Sequence, residues 1–136
     1  MSSLAWPFAQ SLGCPSVMIV EDEALIALSL EEACQDEGFR VMGSFATCVD
    51  ALTALTSVVP DVAILDSALK DGSCLELARE LRRRNVPFLM YSGRDAVEEH
   101  APELDGVPWI DKPSPSERVL RGAIALIHGS PLQLRT

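Results

Sequence analysis

The sequence lacks features that membrane and secreted proteins require. No apolar run approaches the roughly 20 residues of a membrane-spanning helix. The first fifteen residues contain no Lys or Arg and are interrupted at Pro7, so they lack the basic start and continuous apolar stretch of a secretory signal. We therefore interpret residues 1–15 as a flexible leader, and we expect a cytoplasmic protein that does not insert into a membrane.

Basic residues, histidines and paired cysteines are also scarce. Lys and Arg number 11 against 20 Asp and Glu, and a net charge of −9 argues against a nucleic-acid-binding surface. The basic cluster of Arg79 and residues 82–84 is interpreted as the last turn of a helix, where cations suit the dipole. The four cysteines form no CxxC pair, so we expect reduced cysteines that pack in the core.

Short apolar runs alternate with amphipathic stretches from residue 16 to residue 128. This alternation predicts parallel βα units in one α/β domain, with helices covering both faces of the sheet. We expect three helices to begin at polar caps, namely Thr47, Ser73 with Glu76, and Ser114 with Pro115. Residues 129–136 are interpreted as a tail. The predicted strands are 16–20, 39–45, 61–65, 87–91 and 107–110, and the predicted helices are 23–37, 47–58, 73–84, 95–104 and 114–128, the fourth weakened by Pro102.

Polar side chains follow the predicted strands at the ends where an open parallel sheet binds its ligands. Two acids follow the first strand, one acid follows the third, a hydroxyl and a glycine follow the fourth, and a lysine follows the fifth. In that order these residues are Glu21, Asp22, Asp66, Ser92, Gly93 and Lys112. Because these strand ends share one edge of the sheet, we expect the six residues to converge.

Their chemistry suits phosphoryl transfer. Three neighbouring carboxylates repel one another, and a hard divalent cation such as Mg²⁺ relieves the repulsion through oxygen ligands. Lys112 can hold one oxygen of a phosphoryl group, and Ser92 can donate a hydrogen bond to another. Gly93 lets a backbone N–H approach the group closely. Asp66 then remains as the nucleophile, and its attack on phosphorus gives an acyl phosphate.

Each residue taken alone also has a structural interpretation. Glu21 and Asp22 could begin a helix, where acids favour the dipole. Asp66 could be a turn residue, and Ser92 with Gly93 could form an ordinary turn. Lys112 could be a solvated side chain. These interpretations require a coincidence at every strand end, so the phosphoryl-transfer hypothesis is preferred.

The motifs VEDE at 20–23, AILD at 63–66, YSG at 91–93 and DKP at 111–113 resemble a known family. Together, and in this order, they resemble the receiver (CheY-like) domain of two-component response regulators over residues 16–128. The resemblance implies a flavodoxin-like (βα)5 fold, a doubly wound five-stranded parallel sheet of order 2-1-3-4-5. The sequence shows no DNA-binding or catalytic output region, so we expect a stand-alone receiver that acts through another protein.

The resemblance also implies a role for each site residue. Asp66 is expected to be the phosphoacceptor, with Lys112, Ser92 and Gly93 contacting the phosphoryl group. Trp109 matches the aromatic residue that, with Ser92, switches between two conformations, and the Lys112–Pro113 bond is expected to be cis. Mg²⁺, with Mn²⁺ as an alternative, would be bound by Glu21, Asp22, Asp66 and the backbone carbonyl of Ala68.

The domain is expected to accept a phosphoryl group and to switch or relay a signal by protein–protein interaction, and the roles left open are sequestering phosphoryl groups, relaying them or binding a target. No enzymatic turnover is expected apart from self-phosphorylation and slow self-dephosphorylation. The expected partners are a sensor histidine kinase or histidine phosphotransfer protein and a downstream protein target, and a homodimer is left open. The first helix carries a wide apolar surface that could dock the kinase, formed by Leu25, Ile26, Leu28 and Leu30.

Two other functions remain as alternatives. A pseudo-receiver adaptor would bind partners without phosphorylation, although the complete set of site residues argues against it. A haloacid-dehalogenase-type phosphatase also uses an aspartate nucleophile and Mg²⁺. That family places its nucleophile after the first strand with a second Asp two residues on, whereas Asp66 follows the third strand and Ala68 occupies the second position.

Overall fold

Five parallel strands form one sheet in the computed structural model, which describes residues 14–93 and 101–129. The strands are β1 (Ser16–Val20), β2 (Arg40–Phe45), β3 (Val62–Leu65), β4 (Phe88–Ser92) and β5 (Trp109–Asp111). The helices are α1 (Ala24–Asp36), α2 (Cys48–Leu55), α3 (Leu75–Arg83) and α4 (Ser116–Ile127). The strand order is β2-β1-β3-β4-β5, which confirms the predicted flavodoxin-like topology.

Side chains of successive strand residues point to opposite faces of the sheet and build two separate cores. In β1, Val17 and Ile19 join one core, whereas Met18 and Val20 join the other. Helices α1 and α4 cover the first core, and α2 and α3 cover the second. Because both faces of every central strand are buried, β1, β3 and β4 read as continuous apolar runs rather than as alternating patterns.

The predicted helix caps are confirmed at one site and wrong at two. The Thr47 side chain accepts a hydrogen bond from the Asp50 N–H (3.1 Å), as expected for the N-cap of α2. Helix α3 takes Cys74 as its N-cap because Ser73 belongs to a short strand. Helix α4 begins at Ser116, and the hydroxyl of Ser114 donates instead to the backbone carbonyl of Asp111 (2.8 Å).

Several predicted segments lie wholly or partly outside the described residues. The predicted leader and tail are described only at residues 14–15 and 129. Of the predicted fourth helix, residues 95–100 are outside, and the described part contains a 3₁₀ turn at Pro102–Leu104. Within the described ranges, no helix is long and apolar enough to cross a bilayer. The boundaries at residues 16 and 128 remain predictions.

A small hairpin after β3 was not predicted from the sequence. Its two strands, Ala68–Leu69 and Gly72–Ser73, pair in antiparallel fashion, and Gly72 adopts a φ of 112° that side chains rarely tolerate. The Asp71 carboxylate at its turn accepts hydrogen bonds from the backbone N–H groups of Cys48 (2.9 Å) and Val49 (3.0 Å). These bonds lower the pKa of Asp71 and tie the hairpin to the first turn of α2.

Candidate functional site

The backbone ladder continues one residue beyond the strands at the carboxyl edge of the sheet. The N–H of Glu21 donates to the carbonyl of Phe45, and the N–H of Asp66 donates to that of Val20 (both 2.9 Å). The N–H of Lys112 likewise donates to the carbonyl of Ser92 (2.9 Å). These backbone bonds fix the first residue after β1, β3 and β5, and Ser92 is the last residue of β4, so the functional side chains project from a rigid edge.

Asp66 is a buried carboxylate with three hydrogen-bond donors around it. Its Oδ1 accepts from the Ser92 hydroxyl (2.8 Å) and from the backbone N–H of Ala68 (3.1 Å). Its Oδ2 accepts from Lys112 Nζ (3.1 Å). Both oxygens are therefore oriented by groups that can also bind negative charge on an attached phosphoryl group.

Glu21 and Lys112 form the second buried interaction of the site. Lys112 Nζ contacts Glu21 Oε1 at 2.8 Å, and the backbone N–H of Glu23 donates to Oε2 (3.1 Å). Burial raises the pKa of Glu21, and the charge of Asp66 raises it further, against the lowering effect of Lys112. Burial lowers the pKa of Lys112, but the contacts with Glu21 and Asp66 outweigh burial and raise it.

The acidic cluster contains more negative charge than Lys112 can balance. One carboxylate oxygen from each of Glu21, Asp22 and Asp66 lies within 4.8 Å of the other two. Among the described residues, Lys112 is the cation that contacts these carboxylates, and all three carboxylates offer the hard oxygen ligands that Mg²⁺ prefers. The donor set therefore fits a divalent cation.

Ser67, which the sequence reasoning missed, is a further buried residue that contacts the site through Ser92. Ser67 Oγ is 2.6 Å from Ser92 Oγ, and the Ser67 N–H also donates to that oxygen (3.4 Å). Both serines are almost completely inaccessible, at 2% and 1% exposed. At the end of the third strand the sequence pointed only to Asp66, and no sequence pattern indicated Ser67 as a further site residue.

The remaining predicted site residues do not belong to the acidic cluster itself. Trp109 is buried in the core beside α2 and α3, so its ring is already inward in this structure. Ala68 lies in the exposed hairpin and contacts Asp66 through its N–H. Gly93 follows β4 at the limit of the described segment. The Lys112–Pro113 peptide bond is cis, as predicted. The switching role of Trp109 and the ligand roles of Ala68 and Gly93 stay predictions.

A doubly wound parallel sheet with acids and a lysine at its carboxyl edge defines an α/β protein of the flavodoxin-like class. The family model described as the response regulator receiver domain matches residues 17–124. The chain therefore belongs to the receiver domain family of two-component response regulators, which are signalling domains.

Relatives and solved structures agree with this assignment. The probable transcriptional regulatory protein TcrX of Mycobacterium tuberculosis is 31% identical over 120 residues, covering 83% of this chain and 50% of that protein. The chain thus spans about half the length of this relative. A response regulator receiver protein from Sinorhizobium medicae has the same fold, with a TM-score of 0.77 at 23% identity over 87% of this chain and 98% of that one.

A third similar protein carries a metal. The receiver domain of the sensor histidine kinase PA1611 from Pseudomonas aeruginosa was solved with a magnesium ion coordinated in its active-site cleft. It matches with a TM-score of 0.73 at 20% identity, covering 85% of this chain and 98% of that one.

Proposed function

We propose that this receiver domain accepts a phosphoryl group on Asp66 from the phosphohistidine of a sensor histidine kinase or histidine phosphotransfer protein. The reaction requires Mg²⁺, and the phosphorylated domain has a changed affinity for a protein target. The observation that carries this proposal is the buried Asp66 carboxylate, held by Ser92 and Lys112 and set beside Glu21 and Asp22.

The residues of the site divide the work of an in-line transfer. A carboxylate oxygen of Asp66 attacks phosphorus, the P–N bond of the donor breaks, and its electron pair leaves with the imidazole. Lys112 lies 3.1 Å from Asp66 Oδ2 and can balance charge on one phosphoryl oxygen. Ser92 lies 2.8 Å from Oδ1 and can donate to another. The N–H of Ala68 provides a third donor next to the nucleophile.

Glu21, Asp22 and Asp66 would hold the metal, with the Ala68 carbonyl as a further ligand. Bound Mg²⁺ supplies positive charge that neutralises the phosphoryl oxygens and the three carboxylates. Mn²⁺ suits the same oxygen ligands. The magnesium ion in the similar PA1611 receiver domain supports this assignment. Burial and the charge of Asp66 raise the pKa of Glu21, and a bound cation would favour its ionised form.

Phosphorylation can be measured directly by intact mass spectrometry after incubation with Mg²⁺ and acetyl phosphate. We expect one added phosphate that is stable in acid and labile in base, that chelation with EDTA prevents, and that Asp66→Asn abolishes. Asp61→Asn is the matched control, because Asp61 also accepts a hydrogen bond from a serine hydroxyl, but at the opposite edge of the sheet. That control should retain full phosphorylation.

The same experiment separates the alternatives. No adduct from either acetyl phosphate or a phosphorylated kinase would favour the pseudo-receiver adaptor. Multiple turnovers on a phosphoester would favour the phosphatase of the haloacid dehalogenase type. The structure offers that phosphatase no second aspartate, because Ala68 occupies the position two residues after Asp66.

Docking of the kinase is assigned to α1, which begins at the acidic edge. The predicted apolar surface of this helix requires one correction, because Leu30 is fully buried in the core and cannot contact a partner. Ile26 is half-buried, whereas Leu25 and Leu28 are 80% and 49% exposed. The docking surface is therefore defined as Leu25 and Leu28.

Five further expectations from the sequence remain predictions. They are the downstream target, a homodimer, the stand-alone architecture, the absence of nucleic-acid binding and the cytoplasmic location.

A further inference from the structure

The direction of the Ser67–Ser92 hydrogen bond follows from counting protons. A serine hydroxyl has one proton to donate and two lone pairs that can accept. An ionised Asp66 carboxylate can only accept, so the 2.8 Å contact with Oδ1 uses the proton of Ser92. The 2.6 Å contact between the two hydroxyls must then be a donation from Ser67 to Ser92.

This donation saturates the Ser92 oxygen. One lone pair receives the Ser67 hydroxyl at 2.6 Å, and the other receives the Ser67 N–H at 3.4 Å. Ser92 can therefore direct its own proton only toward Asp66. The relay runs from Ser67 to Ser92 to Asp66, and each donation polarises the next hydroxyl so that Ser92 becomes a stronger donor.

We propose that Ser67 is a positioning residue that aims and strengthens the Ser92 donor for phosphoryl transfer to Asp66. This inference rests on the proposed function, and it adds a residue that acts through Ser92 without touching the phosphoryl group. When Asp66 is phosphorylated, the best acceptor near Ser92 shifts from the carboxylate to a phosphoryl oxygen. Ser67 keeps the Ser92 proton directed toward that acceptor, because both lone pairs of Ser92 remain occupied.

An ordinary structural role for Ser67 makes a different prediction. A buried serine that merely satisfies its own hydroxyl through Ser92 would affect folding stability but not the rate of phosphorylation. If Ser67 acts through Ser92, its effect on the phosphorylation rate must vanish once the Ser92 hydroxyl is removed. A double-mutant cycle measures this dependence directly.

The cycle consists of wild type, Ser67→Ala, Ser92→Ala and the double variant, each phosphorylated with acetyl phosphate and Mg²⁺ and followed by intact mass. We expect Ser67→Ala to slow phosphorylation about three- to tenfold, as for one lost hydrogen bond. In the Ser92→Ala background the same change should alter the rate by less than about twofold. The Mg²⁺ affinity, measured by calorimetry, should be equal in wild type and Ser67→Ala, because Ser67 is not one of the clustered carboxylates.

Two further variants control for the general effect of losing a buried serine hydroxyl and for poor folding of Ser67→Ala. Ser16→Ala removes another buried serine hydroxyl, which donates to Asp61 at the opposite edge, and should leave the rate unchanged. Ser67→Cys fills similar space with a weak donor and should slow the reaction in the same direction even if Ser67→Ala folds poorly.

Three results would overturn the inference while leaving the proposed function intact. They are equal rates for wild type and Ser67→Ala, an equal slowing by Ser67→Ala with and without Ser92, and a slowing by Ser16→Ala as large as that by Ser67→Ala. Failure of the proposed function is distinct, because wild type itself would then acquire no phosphate.

Discussion

The two edges of the sheet each join a buried serine to an aspartate, but of these two aspartates only Asp66 lies in the acidic cluster with Glu21 and Asp22. At the amino edge, Asp61 Oδ2 accepts from the N–H (2.7 Å) and the hydroxyl (3.2 Å) of Ser16. The N–H of Asp61 donates back to the Ser16 hydroxyl (3.1 Å). At the carboxyl edge, Ser92 donates to Asp66 in a similar way (2.8 Å).

The difference lies in the neighbours of the two aspartates. The Asp61 pair closes on itself, and its recorded side-chain contacts within the described residues are those with Ser16. Asp66 shares its surroundings with two more carboxylates and one ammonium group. A Ser–Asp hydrogen bond alone therefore does not distinguish the two edges. Among the described residues, the carboxyl edge differs in the crowding of like charge beside Lys112, an arrangement typical of functional sites.

The largest expected effect comes from removing the cation of the carboxyl edge. Lys112→Ala should slow phosphorylation by acetyl phosphate about 100-fold, as for loss of a preorganised charge-stabilising group. The same variant should bind Mg²⁺ more tightly, because Lys112 no longer contacts Glu21 and Asp66. Rates followed by intact mass and affinities from calorimetry test the two directions.

The other lysine of the chain, Lys70, is exposed on the hairpin and serves as the control. Lys70→Ala should change neither quantity. A fall in both rate and metal affinity in Lys112→Ala would contradict the assignment of Lys112 to the phosphoryl group.

Partner docking should also distinguish the two edges. Leu28 lies on α1, which begins at the carboxyl edge, and Val59 lies just before β3 at the amino edge; their exposures are 49% and 50%. Leu28→Glu should slow phosphotransfer from a phosphorylated kinase about tenfold, as for a charge in the centre of an apolar contact. Phosphorylation by acetyl phosphate should remain unchanged, and Val59→Glu should affect neither reaction. Equal loss with both donors would remove α1 from the docking surface.

A substitution at the amino edge is expected to lower folding stability without changing the rate of phosphorylation. Asp61→Asn should lower the free energy of unfolding by about 1 kcal/mol, because the two donors of Ser16 lose a charged acceptor. Urea denaturation measures this change. If Asp61→Asn also slowed phosphorylation, the two edges would be coupled and the comparison would fail.

The smallest expected effect concerns Glu80, which lies outside both edges and forms ion pairs with two arginines on the surface of α3. Hydrogen bonds from Arg83 and then Arg84 hold the pKa of Glu80 at about 2, below its ordinary value of 4.5. Stabilisation from these ion pairs is therefore present above pH 4.5 and is lost as the pH falls toward 2. Glu80→Gln should lower Tm slightly at pH 7, and the difference should vanish near pH 2 and shrink in 1 M salt. A difference that is constant with pH would argue against a charge effect.

The order of the strands and helices and the convergence of the acidic residues were both predictable, because both depend only on where each strand lies in the sequence. Apolar runs mark the strands, a parallel sheet places their carboxyl ends together, and Glu21, Asp66 and Lys112 follow those ends directly. The prediction succeeds because it needs only the location of each strand and no side-chain geometry. The roles of these residues in phosphoryl transfer await the experiments above.

Features that depend on the exact path of the backbone were not predictable. Ser73 matched the sequence pattern of a helix cap, but the hairpin after β3 takes this residue into a strand. Ser114 also matched a cap pattern, but its hydroxyl bonds to Asp111 and its backbone N–H donates to the hydroxyl of Tyr91. The contact of Ser67 with Ser92 joins residues 25 positions apart through rotamers that the sequence does not specify.

The hydrogen bonds of Asp71 have a consequence for how related receivers could diverge. The hairpin is anchored by β3 at one end and, at its turn, by Asp71, whose carboxylate accepts hydrogen bonds from the first turn of α2. The exposed positions between these anchors therefore carry little of the fold. Ala68 and Lys70 are exposed between these anchors, within a few residues of the acidic cluster. Substitutions at these two positions should change the surroundings of the acidic cluster while the scaffold stays unchanged, which makes this short segment a natural point for evolutionary or engineered adjustment of the site.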